Sequence, residues 1–120
     1  MDTKTILYVA IAAILAFIVI QRLRAKKAPS SVVNEKIRSG AKIIDVRTPQ
    51  EFASSSYPKA RNIPLDTLPS RMADLPKDKP IVLYCASGAR SAQAVRILKR
   101  AGFTDVINAG SLRSMPRSAQ

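Results

Sequence analysis

The stretch IVLYCASGARSAQAVRILKRAG, residues 81–102, decides the fold. Ile81 to Cys85 is a short apolar run with the length and composition of a fully buried strand. From Ser91 to Ala101 the pattern changes, because Ala94, Val95, Leu98 and Ala101 share one helical face and Gly102 stops the run. Ala86 to Arg90 must therefore turn a strand into a helix over very few residues. That is a βα unit, and the only cysteine of the chain sits at its turn.

The same alternation extends in both directions. Upstream, VVNEKIRSG places Val32, Val33, Lys36 and Ile37 at helical spacing and ends at Gly40, a natural C-terminal cap. AKIIDVR then reads as a buried strand running out through Asp45 and Arg47. Thr48-Pro49-Gln50-Glu51 follows with a capping threonine, proline at the first helical position and glutamate three residues after the cap. The proline-punctuated middle predicts a short strand near Arg61 to Ile63 and a helix around Leu68 to Leu75. FTDVINAG predicts a last strand leading into a loop, and RSMPRSAQ a frayed tail. Strands that alternate with helices argue for an α/β fold with a mainly parallel sheet, and ligands bind such sheets at the carboxyl ends of their strands. Asp45, Arg47 and Cys85 all fall there.

Ile6 to Ile20 is different: fifteen residues without a charge, apolar on every side. As a helix it covers roughly 22 Å, and flanking residues on both sides can lengthen it towards the hydrocarbon thickness of roughly 30 Å. A cleaved signal peptide calls for positive charge before the run and a small-residue cleavage site after it. Here the dense positive cluster, QRLRAKK at residues 21–27, comes after. A core helix would need more covering protein than about ninety residues supply. The run is therefore read as a single-pass anchor, and the basic flank places the following domain in the cytoplasm and against anionic lipid. The resulting organisation is an anchor with its basic flank over 1–24, a linker over 25–30, a domain over 31–116 and a tail over 117–120.

Composition narrows the chemistry. The chain has one Cys and no His, which removes intramolecular disulfides, imidazole metal sites and the Ser-His and Cys-His pairs. No metal and no cofactor are expected. A lone thiol suits a reducing compartment, which agrees with the charge bias. The net charge of +12 suggests nucleic acid at first sight. Residues 1–30 carry five Lys/Arg against one acid and residues 31–120 fifteen against seven, so the excess is spread along the chain. No aromatic residue interleaves the dense cluster, and no nucleic-acid partner is expected.

A cysteine at a strand end is ordinarily a small buried hydrophobe. In this chain it is followed by Ala86, Ser87, Gly88, Ala89, Arg90 and Ser91. Small residues and Gly88 allow a tight turn whose N–H groups point inward, and such a nest at a helix N-terminus stabilises an anion. The thiolate of Cys85 is favoured there, as is a charged adduct on its sulfur. Arg90 adds a permanent cation with a fork suited to an oxyanion, and Ser91 a hydroxyl as helix cap and donor.

These motifs together resemble the single-domain rhodaneses, the thiosulfate sulfurtransferases. IIDVRTPQEF is similar to the family's first strand-to-helix signature, ARNIPL to the segment after it, and LYCASGARSAQAVRILKRAGFTDV to the active-site loop, helix and final strand. The resemblance spans about Ser31 to Gly110. It implies a rhodanese-like α/β fold in which Cys85 takes sulfane sulfur from a donor such as thiosulfate and passes it to cyanide or a thiol. In that scheme residues 86–91 cradle the persulfide, Arg90 binds or orients the anion, and Asp45 and Arg47 play a supporting structural part. The implied partners are the small-molecule donor and acceptor, the lipid bilayer, and a membrane or sulfur-acceptor protein. Two other readings stay open: an inactive rhodanese-like binding module at the membrane, and a cysteine phosphatase or arsenate-reductase-like enzyme. The four residues between Cys85 and Arg90 make a tighter loop than the phosphatase pattern of five. The chain departs from the family at SSYPKA, Ser55 to Ala60, and at AGSLRSM, Ala109 to Met115, which bear on the rim and the packing.

Overall fold

A computed structural model describes residues 1–24 and 26–117. The apolar run becomes one helix, α1 (Thr3–Arg24), whose 22 residues give a length of about 33 Å. None of Thr3–Ile20 is buried, and Ile6, Leu7, Phe17 and Ile20 lie open. The domain does not use this helix as core, in line with the expectation that it cannot cover it. Of the sequence-predicted linker and tail, Ala25 and residues 118–120 fall outside the described residues.

After α2 (Ser30–Arg38), the strands β1 (Lys42–Asp45), β2 (Arg61–Asn62), β3 (Ile81–Cys85) and β4 (Val106–Ser111) form one sheet in the order β2-β1-β3-β4. Every pairing is parallel, because each crossover between strands returns the chain to the same end of the sheet. The crossovers carry α3 (Pro49–Ser54), α4 (Leu68–Arg71) and α5 (Ala89–Arg100).

All five residues of β3 are buried, since the strand is central and covered on both faces. Ile81, Leu83 and Cys85 join Ile44, Val46, Leu68 and Leu98 on the α5 side. Val82 and Tyr84 turn to the other side, towards Val33, Ile43, Tyr57 and Met115. A register shift between Leu83 and Tyr84 sets Leu83 opposite Asn108 and Tyr84 opposite Gly110.

Several boundaries differ from the sequence expectation. The helix expected over Leu68 to Leu75 is only α4, with 3-10 turns before it (Leu65–Thr67) and after it (Met72–Asp74), in a segment bracketed by Pro64 and Pro76. The expected frayed tail begins later than predicted. Leu112–Ser114 forms a 3-10 turn closed by reciprocal Ser111 and Ser114 bonds, Met115 is 5% exposed in the second core cluster, and Tyr57 Oη donates to the Pro116 carbonyl.

Candidate active site

Cys85 ends β3 with its side chain fully buried, and the chain reaches α5 through Ala86, Ser87 and Gly88 alone. Gly88 is the residue that allows so short a turn. It caps α5 with φ 97°, a left-handed conformation that L side chains rarely adopt, and its α-carbon backs onto Gly110. Helix α5 therefore begins at Ala89 and not at Ser91. Ser91, expected as the cap, lies a turn inside the helix and is fully buried.

That displacement brings Ser91 to the sulfur. The Gly88 N–H donates to Cys85 Sγ at 3.0 Å, and Ser91 Oγ lies 3.4 Å from Sγ. The same Oγ is 2.6 Å from Asn108 Oδ1 and 3.1 Å from the Gly88 carbonyl. One hydroxyl proton thus faces three acceptors, of which Asn108 Oδ1 is the nearest. Burial is the largest influence on the Cys85 thiol and pushes its pKa up. Hydrogen bonds from the Ser91 hydroxyl and from the N–H groups of Ser91, Ser87 and Gly88 together outweigh it and leave the pKa below the ordinary thiol value. The site favours thiolate more than water does.

Asn108 completes this arrangement from β4. Its Nδ2 donates to the Gly88 carbonyl at 3.1 Å, and its Oδ1 accepts the Gly110 N–H at 2.9 Å. Sequence reasoning did not single it out. The available signal was an amide at an inward position of an otherwise apolar strand, Val-Ile-Asn-Ala.

Arg90 stands on the first turn of α5, where its guanidinium makes a two-pronged pair with Glu51. Nη1 donates to Oε1 at 2.8 Å and Nη2 to Oε2 at 3.1 Å. Glu51 also takes the Thr48 N–H in the capping box of α3, so one carboxylate ties α3 to the first turn of α5. Arg90, first, and the Thr48 N–H hold the Glu51 pKa down at about 2. The sequence signalled Glu51 only as a capping residue. Its partner lies thirty-nine positions away.

Asp45 and Arg47 form a buried pair at the end of β1. Arg47 Nη2 donates to Asp45 Oδ2 at 2.7 Å and to the Ser55 carbonyl at 2.6 Å, and Nε donates to both carboxylate oxygens. The guanidinium lies 5.7 Å from the centre of the Tyr84 ring. Tyr84 Oη in turn accepts the Tyr57 N–H at 2.9 Å. The pair braces the residue before the cysteine on the opposite face of the sheet, and so fixes the strand end from which the sulfur projects. The segment Ser55 to Ala60 is built into this brace through Ser55 and Tyr57.

A family profile for the rhodanese-like domain matches residues 29–112. A sulfurtransferase of Allochromatium vinosum is 44% identical over 66 residues, which is 55% of this chain and 62% of that protein. The chain thus spans a little under two thirds of that relative. The thiosulfate sulfurtransferase PspE of Escherichia coli strain K12 is 40% identical over 78 residues, 62% of this chain and 75% of that one. Among solved structures, a rhodanese-like domain protein from Staphylococcus aureus superposes with a TM-score of 0.66 at 30% identity, covering 78% of this chain and 93% of that one.

Proposed function

The chain belongs to the rhodanese-like sulfurtransferase family, and from that premise we propose that it carries sulfane sulfur as a persulfide on Cys85, from a donor such as thiosulfate to cyanide or a thiol. The observation that carries this reading is the buried sulfur with the Gly88 N–H at 3.0 Å and the Ser91 hydroxyl at 3.4 Å. The Cys85 thiolate attacks the outer sulfur of thiosulfate. The donor S–S bond breaks, sulfite leaves with the bonding pair, and a persulfide anion remains on the protein. Cyanide or a thiolate then attacks the terminal sulfur, the protein S–S bond breaks, and its electron pair returns to Sγ as thiolate. No proton changes hands, which suits a chain without histidine. Loop N–H groups that turn inward around the thiolate also face the charge of a persulfide anion.

Two features lie around this chemistry in the same reading. Helix α1 is a single-pass anchor, supported by its length and its uncovered apolar surface, and the basic residues after it place the domain on the cytoplasmic side. Arg90 draws the anionic donor to the mouth of the loop while Glu51 sets its direction.

Intact mass measurement of the full chain in detergent, before and after thiosulfate, tests the proposal. A mass gain of one sulfur atom, absent in Cys85→Ser and removed by cyanide with release of thiocyanate, is expected. A folded protein that gains no sulfur would overturn the reading in favour of a binding module.

A further inference from the structure

Between the segment that leaves α1 and the outer edge of α5 lies a cleft of about 400 Å³. Val95 and Val106 line it together with Lys26, Lys27, Arg96 and Lys99. Lys26, Lys27 and Lys99 are exposed and Arg96 is half-buried. Among the described residues, four of the acids take a basic partner: Asp45, Glu51, Asp74 and Asp105. None of those ion pairs involves the cleft. Four cations thus face one concave surface with no carboxylate opposing them, and an anion is the ligand that complements them.

The covalent chain says which anion. Lys26 and Lys27 lie two and three residues beyond Arg24, the end of α1, so they reach at most about 7 and 11 Å past it. Each polar layer of a bilayer is only about 5–8 Å deep, so a chain held by α1 keeps Lys26 at the headgroups and Lys27 no more than about 6 Å beyond them, within a Debye length of the surface charge. The segment is also stitched to the sheet, because the Ala28 N–H donates to the Asn108 carbonyl at 2.8 Å. The edge of β4 and the outer face of α5 cannot then swing far from the surface. We propose that this cleft is a membrane-facing surface that seats anionic phospholipid headgroups, with Arg96 and Lys99 of α5 extending the basic flank of the anchor into the folded domain. The active-site loop, at the opposite end of α5 from Lys99, is held in a fixed direction relative to the bilayer.

The inference rests on α1 being a membrane anchor, and its test keeps the two apart. The full chain is placed in nanodiscs of phosphatidylcholine alone or with phosphatidylglycerol, and acetylation of individual lysines is followed by mass spectrometry, with Lys59 and Lys79 as internal references. In anionic discs Lys27 and Lys99 should be modified roughly fivefold more slowly relative to the references, the factor a single basic side chain gains near an anionic surface. The protection should fade at high salt and weaken at Lys99 in Arg96→Gln. Equal modification of Lys99 in both disc types would overturn the proposal. So would equal protection by inorganic phosphate over phosphatidylcholine discs, which would mark a site for soluble anions. A chain that alkaline carbonate strips from the bilayer would refute the anchor itself, and the seat with it.

Discussion

Replacing Ser91 by alanine removes one donor from the sulfur and little else. Gly88 keeps a partner for its carbonyl in Asn108 Nδ2 at 3.1 Å, and Asn108 Oδ1 keeps the Gly110 N–H at 2.9 Å, so no buried acceptor is stranded and the loop retains its shape. A hydrogen bond to a charged group contributes about 1.5–3 kcal/mol. At 3.4 Å the contact with Sγ is long, and the hydroxyl has a closer alternative in Asn108 Oδ1 at 2.6 Å, which places the loss at the low end of that range. About 1.5 kcal/mol lowers the ratio of thiolate to thiol roughly tenfold at a given pH. The assay is the rate of Cys85 carbamidomethylation by iodoacetamide across pH, alongside the ultraviolet absorbance of the thiolate. The inflection should move to higher pH, with the rate near neutrality falling by up to about tenfold while the alkaline plateau stays where it was. An unchanged profile in a folded Ser91→Ala protein would refute the claim that this hydroxyl helps hold the charge.

Three further outcomes follow from the same geometry. Asn108→Leu keeps the volume and leaves the Gly88 carbonyl its Ala92 N–H, but strands the Gly110 N–H without an acceptor; urea unfolding should show a loss of about 1–3 kcal/mol, and sulfur uptake from thiosulfate should slow. Gly88→Ala forces a side chain into a left-handed position with its Cβ 3.3 Å from Gly110 Cα, so a drop of about 1–3 kcal/mol and a lower melting temperature are expected. Glu51 has a folded pKa depressed from 4.5 to about 2, so its contribution is complete above the upper value and lost as pH falls through the lower one. Its pair with Arg90 is about one-third exposed, which limits the stabilisation to about 1 kcal/mol, and denaturation measured down that acid range should lose this slope in Glu51→Gln.

The fold was legible where local patterns and burial agree. Ile81 to Cys85 reads as a buried strand because both faces of the central strand are covered, and Thr48 to Glu51 reads as a helix start because its capping contacts are local. The candidate site was legible at Cys85 and Gly88 for a similar reason: the strand end and the tight turn are written in consecutive residues. Ser91 was misplaced as the cap, because the choice between Gly88 and Ser91 depends on a positive φ that Gly88 alone tolerates. Glu51 and Asn108 escaped, since one meets Arg90 and the other Gly88 only after the strands have been set side by side. The end of the domain was read as frayed because Ser, Arg and Pro dominate it. The contacts that hold it, from Tyr57 and the second core cluster, come from far away in the chain.

The position of Asn108 also bears on when the loop around the thiol is completed. A wholly parallel sheet has no hairpin to form early, and its pairings must wait for intervening helices. Strand β4 follows β3 and α5 in the chain, so during synthesis Cys85 emerges well before the strand that braces its loop. Until β4 docks, the Gly88 carbonyl has only the Ala92 N–H and the Ser91 hydroxyl, and the loop that supplies the sulfur's donors lacks its Asn108 brace. A nascent or half-folded chain therefore carries its thiol in a loop not yet braced, and the fixed geometry around the sulfur arrives with the final strand.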